Sequence, residues 1–179
     1  METIQKHSFK ILLFLTAFVL TVSSCSTTRR LERKATSMGG VEINGTIWAT
    51  TNVGANNPED FGNYHTWYES QNICPAGWRV PTIEEIESLV EADSEWTRIR
   101  RVNGRKFGSG NNTIFLPASG WRDNASSARR SNVGTHGYYW SRSQSATSGL
   151  YSMSFTSNDA WSVSWGSRHI RLSVRCVAE

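Results

Sequence analysis

The sequence has no run of the roughly 20 apolar residues that an ordinary membrane-spanning helix needs. It also has no CxxC pair, no Cys/His cluster at zinc spacing and no repeat of fixed period. These absences exclude a conventional span, a thioredoxin-like redox motif, a zinc finger and a solenoid. Cysteine itself is scarce, with Cys25, Cys74 and Cys176 in 179 residues. None of the three has a histidine or lysine beside it to lower a thiol pKa, so no local feature marks a nucleophile.

What the chain does have begins with an address. Lys6 and Lys10 precede the uncharged run Ile11–Leu20, and "TVSSC" follows. A basic start, a short apolar core and small residues before a cut describe a signal peptide over residues 1–24. "VSSC" at Val22–Cys25 resembles a bacterial lipobox, which makes Cys25 the lipid attachment residue and the new N-terminus. An ordinary signal-peptidase site beside a chance cysteine is the alternative. Residues 25–40 then read as a lipidated flexible tether, polar and without periodicity, and residues 41–179 as the folded domain. The expected location is the outer membrane. "STTRR" after Cys25 lacks the acidic residues common in surface-bound lipoproteins, which favours the periplasmic face, with the cell surface as the alternative.

The basic balance belongs to the tether. Arg29, Arg30, Arg33 and Lys34 stand there against Glu32, whereas residues 38–179 carry thirteen basic and thirteen acidic side chains. A neutral domain does not argue for nucleic-acid binding. Its charges are nonetheless segregated: Met38–Glu95 holds ten acids and one base, Trp96–Glu179 twelve bases and three acids. Halves of opposite sign suit one interleaved domain; an acidic face and a basic face for different partners is the other reading.

With Cys25 lipidated, Cys74 and Cys176 remain as a pair in an exported protein, most simply a disulfide. In "RLSVRCV", Leu172, Val174 and Cys176 alternate with polar residues, so Cys176 should face inward from a last strand. Thr82 and Glu85 form a capping box at the head of a helix running to about Ala92, with Ile83, Ile86, Leu89 and Val90 on one face. Capping and the helix dipole account for the acids there, so no acid/base pair is singled out.

Val41–Trp48 reads as a hairpin turning at Asn44-Gly45, and Asn103-Gly104 as a second turn. Tyr151, Met153 and Phe155, and then Trp161, Val163 and Trp165, alternate with serines, giving strands with one apolar and one polar face. One good helix and about seven short strands make an α+β chain with much loop. Asn56, Asn57, Glu59 and Asp60 offer hard oxygen donors to calcium, but an Asn/Pro turn explains them and is the reading adopted.

The eight tryptophans can supply much of a core, and Trp48, Trp78, Trp121, Trp140 and Trp161 are assigned to it. Two segments mix His, Tyr and Trp as ligand-lining surfaces do: "NYHTWY", with Tyr64, His65, Trp67 and Tyr68, and "THGYYW", with His136, Tyr138, Tyr139 and Trp140.

"INGTIWATTNVGA", "FGNYHTWYE", "CPAGWRVPTIEEIESL", "FLPASGWRD", "YYWSRS" and "SVRCV" stand in an order that resembles the Fibrobacter succinogenes major paralogous domain. The resemblance runs from about Val41 to Val177. That family is similar to C-type-lectin-like and formylglycine-generating-enzyme-like folds, and so implies one main helix with a twisted, loop-rich antiparallel sheet. It implies architecture more than activity. "NNPED" and "WRDN" are loose echoes of calcium-lectin motifs. The reactive cysteines of formylglycine-generating enzymes have a counterpart in Cys176 alone, which the disulfide requires.

The expectation is therefore a non-catalytic, lipid-anchored envelope protein that binds a glycan or a protein, without cofactor or metal and without nucleic acid. A structural subunit or tip component of a fimbria or envelope assembly is the second reading. An enzyme is the third, with His65, His136, Asp123 and Asp159 as its polar candidates.

Overall fold

The computed structural model describes residues 39–123, 129–145, 149–165 and 169–179. The signal peptide, Cys25 and the tether up to residue 38 lie outside the described residues. The elements in chain order are β1 (Gly40–Ile43), β2 (Thr46–Ala49), α1 (Trp67–Ser70), β3 (Trp78–Arg79), α2 (Ile83–Val90), β4 (Ser94–Ile99), β5 (Val102–Ser109), β6 (Asn112–Pro117), β7 (Trp121–Asp123), β8 (Arg130–Ser131), β9 (Gly137–Gln144), β10 (Leu150–Phe155), β11 (Ala160–Trp165), β12 (Ile170–Arg171) and β13 (Val177–Ala178).

This corrects the expected α+β, C-type-lectin-like fold. The chain is mostly β, with four small antiparallel sheets and two short helices instead of one main helix on a twisted sheet. The sheets run β1-β2-β13-β3, β11-β10-β9, β12-β7-β8 and β4-β5-β6. Frequent left-handed turn residues keep the strands short. Asn44 at φ 48° and Gly45 at φ 80° turn β1 into β2 as a two-residue hairpin. Arg100 at φ 44° and Arg101 at φ 72° turn β4 into β5.

The second turn therefore lies earlier than the Asn103-Gly104 expected. Gly104 sits inside β5, where an added Cβ would run into the Leu116 carbonyl and the Phe115 ring. Its role is close packing.

The central sheet β9-β10-β11 separates two apolar clusters. Tyr139, Met153, Phe155 and Ala160 point to one side, where Ile83, Ile86 and Leu89 of α2 join Phe107, Ile114 and Leu116. On the other side lie Tyr138, Trp140 and Leu150, with Trp67, Trp78, Ile170, Leu172 and Val174. The serine faces of β10 are thus not solvated. Ser152 and Ser154 are buried beside Trp140 and Tyr138 in the register. Small residues opposite large rings let the second cluster close against that face.

Trp48, Trp78 and Trp140 are core residues and Trp121 is partly buried against the second cluster. Trp161, expected inside, is 39% exposed on the edge strand β11. The acidic and basic halves interleave: Arg100 pairs with Glu59, Arg171 with Glu69 and Lys106 with Glu95.

The Cys74–Cys176 disulfide bridges residues 102 apart. It joins the loop before β3 to the extended segment before β13, in the sheet that the two ends of the domain share.

Candidate functional site

Residues 61–69 form a strip anchored at its middle and end. His65 pairs with Leu172 through two backbone hydrogen bonds of 2.9 and 3.0 Å. Thr66 then caps α1: its hydroxyl accepts from the Glu69 N–H, and the Glu69 carboxylate accepts from the Thr66 N–H at 2.9 Å. This is the same T-x-x-E signal that marks α2. The Tyr64 hydroxyl donates to the Ser119 carbonyl. Burial raises the Tyr64 pKa, against the pull of Arg130 and Arg122. Burial likewise holds the His65 imidazole below its ordinary value, and its buried Nε2 has no hydrogen-bond partner among the described residues.

Beside this strip lies the sheet β12-β7-β8. In its register Arg171 stands opposite Arg122, and Arg122 opposite Arg130. Directly opposed residues share a face, so three guanidinium side chains leave the sheet on one side. Trp121 and Ile170 alternate to the other side and pack on the second cluster. Arg171 forks onto Glu69 with bonds of 2.7 and 3.1 Å. Arg130 lies over the Phe61 ring, 5.9 Å from its centroid, and interacts with the Tyr64 hydroxyl.

The second sequence-identified segment meets the first at the turn Ala118–Gly120. Gly134 N–H donates to the Ala118 carbonyl and Gly120 N–H to the His136 carbonyl, both at 2.8 Å, while Tyr64 holds Ser119. The His136 ring stacks on Tyr138 at 5.7 Å, and Asn132 donates to the Tyr138 hydroxyl.

Of the eight expected ligand-lining residues, four place their rings in the core: Trp67, Tyr138, Tyr139 and Trp140. Trp67 and Trp140 satisfy their indole N–H groups on the carbonyls of Ser141 and His65. Period-two alternation in β9 sends Tyr138, Tyr139 and Trp140 into both clusters, and Trp67, at the head of α1, packs into the second. Tyr64, His65 and His136 are half-buried, and Tyr68 is 56% exposed.

A buried polar centre escaped the sequence reading. Arg175, 1% exposed, donates to Asn52 Oδ1, the Ala49 carbonyl and the Phe115 carbonyl at 2.9, 2.9 and 3.0 Å. Asn52 in turn donates to the Phe61 carbonyl and to the Tyr139 hydroxyl, and Tyr139 donates to the Pro117 carbonyl. Burial lowers the Arg175 pKa to about 10, which leaves it cationic near neutrality. Burial also pushes the Tyr139 hydroxyl up to about 12, so it stays protonated. The network carries one positive charge on neutral acceptors and fixes the start of the 61–69 strip. The signal for it was an arginine inside the apolar alternation of "SVRCV".

Other candidates are accounted for locally. The Asp60 carboxylate accepts from the Asn56 and Asn57 backbone and the Asn57 side chain, closing its own turn. Asp159 accepts from the Ala160 N–H. His136 Nδ1 lies 3.0 Å from the Thr135 hydroxyl. Asp123 sits opposite Ile170 in the register. Both domain cysteines are consumed in the disulfide.

The described residues form a β-rich domain with an arginine- and aromatic-lined face over a disulfide-clasped core. The Fibrobacter succinogenes major domain model matches residues 25–178, and the chain belongs to that family. No curated protein and no solved structure matches it.

Proposed function

We propose that this chain is a non-catalytic, lipid-anchored protein of the bacterial envelope whose domain binds a glycan or protein ligand. The ligand face is built from Tyr64, His65, Tyr68 and His136 beside the arginines of β7, β8 and β12. The reading is carried by the convergence of the two aromatic segments on Ala118–Gly120, next to a cationic sheet face. Mixed aromatic and charged groups at a surface favour recognition over burial. Cys25 supplies the anchor, and the periplasmic face of the outer membrane is the location that "STTRR" favours. A glycan array together with an envelope pull-down tests the binding role. Specific retention on either supports it, and folded protein that binds nothing on both overturns it. An intact mass with unacylated Cys25 removes the anchor.

A structural subunit of an envelope assembly is the second reading, favoured by Trp161. It is 39% exposed on β11, an edge strand of its sheet among the described residues, and edge strands are templates for further pairing. Stoichiometric co-purification with other subunits would select this reading.

A further inference from the structure

We infer that the Arg171–Arg122–Arg130 row is a carboxylate-recognition track for an acidic glycan. This rests on the binding role proposed above and names the chemistry of its ligand.

Like charges placed directly opposite across paired strands destabilise a sheet. Here the register sets Arg122 opposite both Arg130 and Arg171. Glu69 is the carboxylate ion-paired to the row among the described residues, and it engages Arg171 at one end. Arg130, exposed at the other end, rests on the Phe61 ring, while Arg122 stands between them next to Tyr64. The fold thus gathers three guanidinium groups around one ion-paired carboxylate, in a domain whose basic and acidic side chains are equal in number only when this row is included. An external anion would relieve that excess.

The structure also shows the docking mode. The Arg171 guanidinium grips Glu69 through both terminal nitrogens, at 2.7 and 3.1 Å, the planar fork that suits a carboxylate. Neighbouring strands set the backbones of the three arginines about 4.8 Å apart, so their side chains serve one face together. The 61–69 strip beside the row adds two half-buried rings, Tyr64 and Phe61, the latter with one face under Arg130; aromatic rings suit the apolar faces of sugars. An anionic lipid headgroup would use the charges but not the rings. A nucleic acid would demand a wider basic surface than this neutral domain offers.

The test is titration calorimetry on the full chain in non-ionic detergent. The probes are an oligo-uronate, the same oligosaccharide with its carboxyls reduced to alcohols, inorganic sulfate, and phosphatidylglycerol vesicles. The wild type should bind the oligo-uronate best, with affinity falling as salt rises. The Arg122→Gln/Arg130→Gln double variant should bind it about tenfold or more weakly, the loss expected for one charge-assisted contact. The variant's melting temperature should stay close to the wild type's, the relief of opposed charges offsetting the lost Arg130–Phe61 contact. Its loss on the carboxyl-reduced sugar should be clearly smaller than its loss on the oligo-uronate.

Equal binding of the acidic and reduced forms, or equal binding of the oligo-uronate by variant and wild type, overturns the carboxylate track and leaves glycan binding standing. Tightest binding to vesicles or to sulfate alone also overturns it. Failure to bind any of the four probes, with a glycan array and pull-down also empty, removes the broader binding role as well.

Discussion

Replacing Arg175 with methionine tests whether the buried cation organises the domain. The substitution keeps much of the side-chain volume and removes the guanidinium. Three acceptors then lose their donor: Asn52 Oδ1 and the carbonyls of Ala49 and Phe115. A buried polar group left unsatisfied costs about 1–3 kcal/mol, so the gross loss is several kcal/mol. Removing the charge also removes its own desolvation cost, again several kcal/mol in principle, which offsets part of the loss. The groups left behind are neutral, so the loss is that of unmet hydrogen bonds on acceptors that cannot reach water. The expected net loss is about 3 kcal/mol, or roughly 10 °C in melting temperature for a domain of this size.

Arg175→Lys should fall between wild type and methionine, since a point donor cannot reach all three acceptors of the fork. Thermal unfolding of the two variants, with Asn52→Ala and the Asn52→Ala/Arg175→Met pair, completes the test. The pair should be less destabilised than the sum of the single variants, because both act on one network. Ligand affinity should fall as well, since Asn52 holds the Phe61 carbonyl at the start of the 61–69 strip. An Arg175→Met protein that melts at the wild-type temperature would refute the reasoning.

Reducing the Cys74–Cys176 bond, or replacing it by Cys176→Ser, should lower stability by about 4–5 kcal/mol in the chain-entropy model, read by urea titration with and without reductant. Stability should also decline in two acid steps in a pH series of melting curves. Burial, opposed by Glu69 but aided by Arg171, holds the folded His65 below its ordinary 6.5, so its contribution is present above that pH and is lost as pH falls through the lower folded value; His65→Gln should remove this step. Glu69 is held below 4.5 chiefly by the Thr66 N–H and then by Arg171. Burial pushes Glu85 up, but Arg79 and the Thr82 N–H outweigh it, so both carboxylates contribute above pH 4.5 and lose that contribution as they protonate below it. Gly104→Ala should destabilise by about 1–3 kcal/mol in denaturant titrations, since the added methyl meets the Leu116 carbonyl and the Phe115 ring.

The features legible in the sequence are those whose cause lies within a few residues. Asn44-Gly45 dictates its own turn, Thr82 and Glu85 cap α2 from three residues apart, and Tyr151, Met153 and Phe155 announce a strand by alternation. Thr66 and Glu69 carry the same capping signal and were legible by the same rule. Asn103-Gly104 shows the limit of local reasoning. The dipeptide suits a turn, but the space against Phe115 requires a glycine in mid-strand, and Arg100 and Arg101 take up the left-handed conformation instead.

The candidate site is hard to read because its causes are distant in the chain. The arginine row exists only once residues 121–123, 130–131 and 170–171 pair in one register. A one-residue slip in β7 would send Arg122 to the packed side and present Trp121 or Asp123 in its place. The burial of Ser152 and Ser154 is equally remote in origin. Serines alternating with large apolar residues look like a solvated face until Trp140 and Tyr138 are placed opposite them. Arg175 departs furthest from local expectation. Its charge argues for the surface, yet carbonyls from β2 and β6 and the Asn52 amide are gathered around it. Polarity alone therefore predicts exposure poorly in this domain: its short strands bring polar groups together inside, and a sequence-local reading cannot count partners that lie 60 to 126 residues away.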